Sequence, residues 1–284
     1  LETDRDDISM KAAAFDYVRA ADAAEAQALL ARHGDGARLL AGGQSLLATL
    51  NLRLSEPAIL IDISRIGLDT ITRRGDVLHI GAMATHAAIG RSALVAECAP
   101  MLAEAAPLIA HAAIRNRGTL GGSLALADPA AEWPACVLAL GATIILSSAA
   151  RGERRVLAED FFQGLYQTAA EPDEMILGVD FPVLGSERQG CMELARRHGD
   201  YALVGVAMTL RLEAGLVRGL RAAFFGVGPT PMLVRLGEGL PPAEAARASL
   251  AGDLAPQDDP GMDGQTRLHL AQVLFKRAVM RLTA

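Results

Sequence analysis

Hydrophobic and polar positions change rhythm along this chain. After Asp22, with Glu25 three residues on, Ala26, Leu29 and Leu30 recur at helical spacing until Gly34, which predicts a capped helix. Arg38 to Ala41 predicts a short strand ended by Gly42-Gly43, and Ser45 to Leu52 returns to helical spacing. The runs Ala58 to Ile63 and Val77 to Ala82 read as buried strands, the second after an Arg74-Gly75-Asp76 turn. Thr85 is placed to cap a short helix, and Pro100 to Ala110 predicts a longer apolar one. Gly118 to Ser123 forms a second glycine-rich loop. Asp128-Pro129 then opens a helix running to about Gly141, with proline at a position where its missing N–H costs nothing. Strands follow at Ala142 to Ser148 and Met175 to Phe181, the latter stopped by Pro182.

From Cys191 onward the pattern becomes an antiparallel meander. Cys191 to Arg197, Val204 to Glu213 and Leu216 to Val227 read as three strands, joined at Gly199-Asp200 and Ala214-Gly215. Helices are predicted at Pro242 to Leu250 and Gln265 to Leu282, with a mobile polar link from Asp253 to Gly264. An α/β front part and an α+β back part therefore meet near Pro182 to Gln189. Residues 1–9 are acidic and polar ahead of Met10-Lys11; they are taken as a remnant outside the fold.

Composition narrows the function. A chain of 284 residues with 51% hydrophobic and 21% charged positions can bury a sizeable core, and its length suits two or three compact units. The net charge of −6 argues against a nucleic-acid surface, which needs a basic excess. No run reaches the ~18 apolar residues of a membrane span, so no membrane insertion is expected. Cys98, Cys136 and Cys191 show no CxxC spacing and the histidines no HxH or HxxxH pair, so no local metal site is expected. Sparse, odd-numbered thiols fit a reducing, cytoplasmic setting.

Two stretches carry candidate chemistry: Ala41-Gly42-Gly43-Gln44-Ser45 and Thr119-Leu120-Gly121-Gly122-Ser123. Paired glycines free the backbone for positive φ and remove the Cβ that would block a ligand. Consecutive N–H groups can then converge on an anion, with the hydroxyls of Ser45, Thr119 and Ser123 as further donors. Two such loops suit the two phosphates of a dinucleotide without any lysine; alternatively each is only a tight turn. Asp62, at a strand end, and Asp128 either accept hydrogen bonds from a ligand's hydroxyls or serve as a turn residue and a helix cap. Arg115 and Arg117 either supply charge to phosphate or pair with Glu104 or Glu132. Tyr201 either stacks on a planar ring or packs in the core, and Trp133 is read as core or interface. A P-loop and a nucleophile elbow are absent. Gly226-Val227-Gly228-Pro229-Thr230-Pro231 fails as a dinucleotide fingerprint because prolines would stop the receiving helix.

Taken in order, these segments resemble one family. Ala41-Gly42-Gly43-Gln44-Ser45-Leu46-Leu47, Ile80-Gly81-Ala82-Met83, the run Ile114 to Ser123 with Asp128-Pro129, Arg197 to Ala202, and Phe225 to Pro231 resemble the medium, FAD-binding subunit of the carbon monoxide dehydrogenase and xanthine dehydrogenase group of molybdenum hydroxylases. The resemblance implies an α+β protein. An FAD-binding domain of two α/β subdomains (about 10–63 and 64–182) would precede a C-terminal domain (183–284) with a three-stranded antiparallel sheet and helices. It implies that both glycine loops meet the FAD pyrophosphate. Ala41, Gly42, Gly43, Gln44, Ser45, Leu46, Gly81, Ala82, Thr85, Ile114, Gly118, Thr119, Gly121, Gly122, Ser123, Asp128 and Ile176 would surround the cofactor, with Tyr201 close to the isoalloxazine. Leu126 replaces a histidine common in relatives, Met192-Glu193 stands where some carry lysine, and a cysteine-rich insertion of some relatives is absent.

The resemblance further implies a heterotrimer with a large molybdopterin-binding subunit and a small [2Fe–2S] subunit. Electrons would pass from the clusters through FAD here to NAD, a quinone or oxygen; flavin suits this because it takes electrons singly and releases them in pairs. No acid, base or nucleophile is nominated. The rival reading is a self-sufficient flavin oxidase or dehydrogenase, which often tethers its flavin through histidine or cysteine; nothing near Gln44 offers that. A scaffold that has lost its flavin is a further alternative.

Overall fold

A computed structural model describes residues 11–237 and 239–284; the expected remnant at 1–9 lies outside the described residues. The chain begins with β1 (Asp16–Arg19), α1 (Ala23–His33), β2 (Ala37–Leu40), α2 (Leu46–Asn51) and β3 (Ile59–Asp62). These strands form a parallel sheet in the order β1-β3-β2. Helix α1 starts as expected, with the Asp22 carboxylate accepting from the Glu25 N–H, and ends at Gly34 with φ 51°. Every residue of β3 is buried because strands flank it on both sides, and this takes Asp62 out of solvent.

The next unit is a five-stranded sheet ordered β4 (Ile71–Arg74), β5 (Val77–Gly81), β10 (Met175–Pro182), β6 (Thr143–Ser148) and β7 (Gly152–Leu157). All of its pairs are antiparallel. Between β5 and β6 the chain makes six helices: α3 (His86–Arg91), α4 (Ala93–Cys98), α5 (Pro100–Ala105), α6 (Ala112–Arg115), α7 (Leu120–Leu126) and α8 (Glu132–Ala139). After β7 come α9 (Ala158–Phe161) and a small hairpin of β8 (Phe162–Gly164) and β9 (Gln167–Thr168).

The helix expected over Pro100 to Ala110 stops at Ala105: Pro107 has no N–H to continue it, and Ala110 takes φ 41°. The helix expected from Asp128 begins at Glu132 instead. Asp128 closes a local turn, its carboxylate accepting from the Ala130 N–H, while Pro134 occupies the first helical turn.

The last unit is a four-stranded antiparallel sheet, β11 (Arg188–Leu194), β12 (Val204–Glu213), β13 (Leu216–Phe225) and β14 (Met232–Arg235), one short strand more than expected. The final helices are α10 (Pro242–Ala245) and α11 (Gly264–Thr283). Val204, Val206, Met208 and Leu210 of β12 join a core with Leu274, Phe275, Ala278 and Leu282 of α11. Alternate positions on the other face, Ala207 and Ala223 with Cys191 and Phe225, join the core around α8. The sheet is thus covered on both faces. All eight residues of α8 are buried, because the helix lies between this sheet and the middle unit.

Candidate cofactor-binding site

The first glycine loop leaves β2 and enters α2 directly. Among the described residues no protein acceptor takes the backbone N–H groups of Gly42, Gly43, Gln44 or Ser45. Gly43 adopts φ 74°, which a side chain would strain. Gln44 folds back, its Nε2 donating to the Gly42 carbonyl at 3.1 Å. Ser45 holds the position before α2 without capping it, so its hydroxyl is uncommitted, and Leu46 begins the helix.

The second glycine stretch is not a loop. Thr119 caps α7 through its hydroxyl, which accepts from the Gly122 N–H at 3.1 Å, so Gly121, Gly122 and Ser123 lie inside the helix. Its amides are spent within the protein: Leu120 donates to Ala84, Gly121 to Ala82 and Ser123 to Thr119. Gly121 is needed for proximity, since a Cβ there would sit 2.6 Å from that of Ala82. The end of β5 completes the seam. Gly81 lies against the Leu68 backbone, Ala82 donates to the Leu177 carbonyl next to Ile176, Thr85 caps α3 through the Ala88 N–H, and the His86 N–H reaches Gly118. Ile114 ends this chain of contacts, accepting from the Gly118 N–H at 2.7 Å.

The two glycine stretches meet although about 75 residues separate them. A Cβ on Gly42 would lie 2.7 Å from the Arg117 carbonyl carbon and 3.0 Å from the Gly118 Cα. One on Gly122 would touch the Ala41 methyl at 4.0 Å. Beside this junction opens a groove of about 340 Å³ lined by Arg19, Ala41, Gly42, Gly43, Leu47, Asp62, Arg65 and Arg117. Asp62 forms one wall, accepting from Arg19 Nε at 2.9 Å, from the Ser64 N–H at 2.8 Å and from the Tyr17 hydroxyl. Burial pushes its carboxyl upward, but the hydrogen bonds from Tyr17, Ser64 and Arg19 outweigh that and hold it well below the usual carboxylate range. Asp62 is therefore an ion held in place, and three arginines make the groove receptive to anions.

From this junction α7 runs for seven residues, about 10 Å, toward Asp128. There the Asp128 carboxylate faces the hydroxyls of both Tyr166 and Tyr201, and Tyr166 holds φ 56°. Burial, reinforced by the Asp128 charge, pushes the Tyr201 hydroxyl up to about 12, yet much of the residue stays open to solvent, 65% exposed. An open aromatic face can receive a planar ring.

Sequence reasoning missed Arg19, Arg65, Tyr17 and Tyr166; they come from edge strands and turns, where no periodic signal marks them. Arg115 pairs with neither Glu104 nor Glu132: its guanidinium donates to the carbonyls of Pro107, Ile109 and Ala110. Glu104 pairs with Arg281 instead. Trp133 is core, 1% exposed, and its Nε1 donates to buried His86 Nδ1 at 2.9 Å. Burial, helped by nearby Arg115, lowers the His86 imidazole to about 4. Gly226 serves packing, its N–H donating to the Pro129 carbonyl. Among the described residues no group of three metal-ligating side chains is assembled, and no helix is long and apolar enough to cross a membrane.

Comparison with known proteins identifies the family. Residues 13–184 match the FAD binding domain in molybdopterin dehydrogenase, and residues 191–239 match the CO dehydrogenase flavoprotein C-terminal domain. The chain is 36% identical to the caffeine dehydrogenase subunit beta of Pseudomonas sp. (strain CBB1), covering 96% of each. It is 37% identical to the carbon monoxide dehydrogenase medium chain of Afipia carboxidovorans, covering 95% of this chain and 97% of the relative. Its structure superposes on a chain of quinoline 2-oxidoreductase from Pseudomonas putida 86 with a TM-score of 0.90 at 36% identity, covering 96% and 98% of the two. The open amides of Gly42 to Ser45, the arginine-lined groove and the exposed ring of Tyr201 fit a dinucleotide with a flat head group. The chain belongs to the FAD-binding medium subunits of the carbon monoxide dehydrogenase and xanthine dehydrogenase family of molybdenum-containing oxidoreductases.

Proposed function

We propose that the protein binds FAD along the line from the Ala41–Ser45 loop to Tyr201 and passes electrons from the iron–sulfur clusters of a partner subunit to an external acceptor. The observation that carries this reading is the junction of Gly42 with Arg117 and Gly118, beside which four backbone N–H groups find no acceptor among the described residues. The diphosphate would lie against the amides of Gly42 to Ser45, with Arg117 neutralising its charge. Because the amides of α7 are already engaged, the second glycine stretch would shape the wall and leave the hydrogen bonds to the first. Asp62 with Arg19 would border the groove, Asp128 would orient hydroxyls along the middle of the cofactor, and Tyr201 would lie beside the isoalloxazine. FAD supplies the exchange between single electrons and electron pairs. The chain supplies position, charge and exclusion of water.

We read the complex as a heterotrimer with a molybdopterin-binding large subunit and a [2Fe–2S] small subunit, in the cytoplasm, with NAD, a quinone or oxygen as acceptor. The relatives support a multi-subunit complex, being named as the beta, alpha or medium subunits of dehydrogenases and a hydroxylase. The test is to tag this chain in its native cell and analyse the material that co-purifies. FAD, iron and molybdenum are expected in fixed proportion, with flavin bleaching when the complex's substrate is added. A flavin-loaded chain that turns over a small alcohol or amine with no iron or molybdenum present would overturn the subunit reading.

A further inference from the structure

A second cavity, of about 280 Å³, opens between α3, the turn after α5, and α6. It shares no lining residue with the groove beside the glycine junction. Its size lies at the lower end of small-molecule sites, which run from roughly 300 Å³ upward. Ala87, Ala106 and Pro107 give it an apolar wall. His86, Arg91, Arg115 and Asn116 supply its polar groups, and among the described residues no carboxylate lines it.

His86 is only 6% exposed, and its ring has two nitrogens to satisfy. The indole N–H of Trp133 can only donate, so Nδ1, 2.9 Å away, accepts and carries no proton. The ring proton of the neutral imidazole therefore sits on Nε2. That nitrogen lies over the end of α6, where a Cβ on Gly118 would stand 2.5 Å from it, and no described residue accepts from it. A buried donor left without an acceptor is costly, and an acceptor entering the cavity relieves that cost. Arg115 is already positioned. Its Nη1 donates to the carbonyls of Pro107, Ile109 and Ala110, which fixes the guanidinium and leaves Nε and Nη2 with no described acceptor. Arg91, exposed at the rim, has no partner among the described residues. Two arginines with nothing acidic between them favour an anion, and the planar fork of a guanidinium matches a carboxylate.

We propose that this cavity binds a small organic carboxylate carrying a single apolar ring. The His86 Nε2–H and Arg115 take its oxygens, the ring lies on Ala87, Ala106 and Pro107, and Arg91 adds charge at the mouth. The cofactor reading is not needed for this site.

Trp133 is the chain's one tryptophan, and its bond to His86 makes its fluorescence a reporter of the cavity. Full-length protein without flavin is titrated with benzoate, with benzamide as the uncharged match and inorganic phosphate as the ringless anion. Benzoate is expected to saturate, with benzamide and phosphate each at least about tenfold weaker. Arg91→Ala removes the rim charge, and Ala112→Phe fills the mouth from an exposed lining position. Each should weaken benzoate about tenfold with unchanged melting. Absence of saturable binding by both fluorescence and calorimetry overturns the proposal. So does equal binding of benzamide or phosphate, or wild-type affinity in either variant. Calorimetry on FAD-saturated protein separates the two sites: benzoate should bind with the same affinity. Benzoate displaced by FAD belongs to the groove, which overturns the second site. A chain that takes benzoate but no FAD leaves the cavity standing and removes the cofactor reading instead.

Discussion

A single methyl group at Gly42 tests how the site is built. In Gly42→Ala the new carbon would stand 2.7 Å from the Arg117 carbonyl carbon and 3.0 Å from the Gly118 Cα. Carbon atoms in contact prefer roughly 3.5–4.0 Å, so the two segments must part by about 1 Å. Both sides of the contact are main chain, and no side chain can swing away to relieve it. Overpacking of this kind costs roughly 1–3 kcal/mol. If the loop lifts to escape, its four open amides lose their common focus and the penalty appears in cofactor affinity. At about 1.4 kcal/mol per tenfold, FAD should bind roughly 5- to 150-fold more weakly. If the loop holds, the penalty appears as a lower melting temperature, by about 2–4 °C per kcal/mol. The assay is a flavin-fluorescence titration of flavin-free protein, with a thermal melt of the same sample. Gly75→Ala is the control: φ there is 60° with nothing within 4 Å of the new atom, so it should cost about 1 kcal/mol of strain and leave FAD affinity alone. A Gly42→Ala protein with wild-type affinity and melting would refute the contact, and with it the convergence on which the site depends.

Further outcomes follow from the same geometry. Arg117→Ala should weaken FAD several-fold and flatten the salt dependence of binding, with no change in melting, because Arg117 is exposed and lines only the groove. Trp133→Phe should lower stability by about 1–3 kcal/mol in chemical denaturation, since buried His86 loses its donor. The His86 imidazole, lowered from 6.5 to about 4, contributes stability that is present above pH 6.5 and lost as pH falls toward 4. That contribution is at most about 3 kcal/mol, and denaturation midpoints at pH 7 and pH 5 should lie closer together in His86→Gln than in wild type. Glu132 is shifted the other way, from 4.5 to about 8, so its contribution is complete below pH 4.5 and lost as pH rises through 8. Glu132→Gln should therefore remove part of the alkaline decline in stability between pH 6 and pH 9.

The elements legible in the sequence are those whose burial pattern is simple. Helix α1 shows one buried stripe and an acidic cap, and its start and stop were readable from Asp22, Glu25 and Gly34. Strands β3 and β12 are flanked or covered on both sides, so their apolar runs announce them. Edge strands were silent. Most of β1, β4 and β7 is polar or exposed, and such segments are recruited by the ladders of neighbours lying far along the chain. The five-stranded sheet was hidden for the same reason, since β10 returns between β5 and β6 only after seven helices and four strands.

The two glycine pairs show where local reading of a site stops. Gly42-Gly43 and Gly121-Gly122 look alike as sequence, yet the first leaves its amides open while the second spends them in a helix. The difference lies in Thr119. A hydroxyl one residue before Leu120 captures the Gly122 N–H and starts a helical turn, whereas Gln44 folds its side chain onto the carbonyl of Gly42 and leaves the donors free. The same capping logic that located α1 and α3 would have separated the pairs, because Thr119 is to α7 what Thr85 is to α3. No local rule could have joined Gly42 to Arg117, which requires two subdomains to close on each other. Their contact is a property of the assembled core, and a glycine is required there because no other residue lets the two main chains come so near.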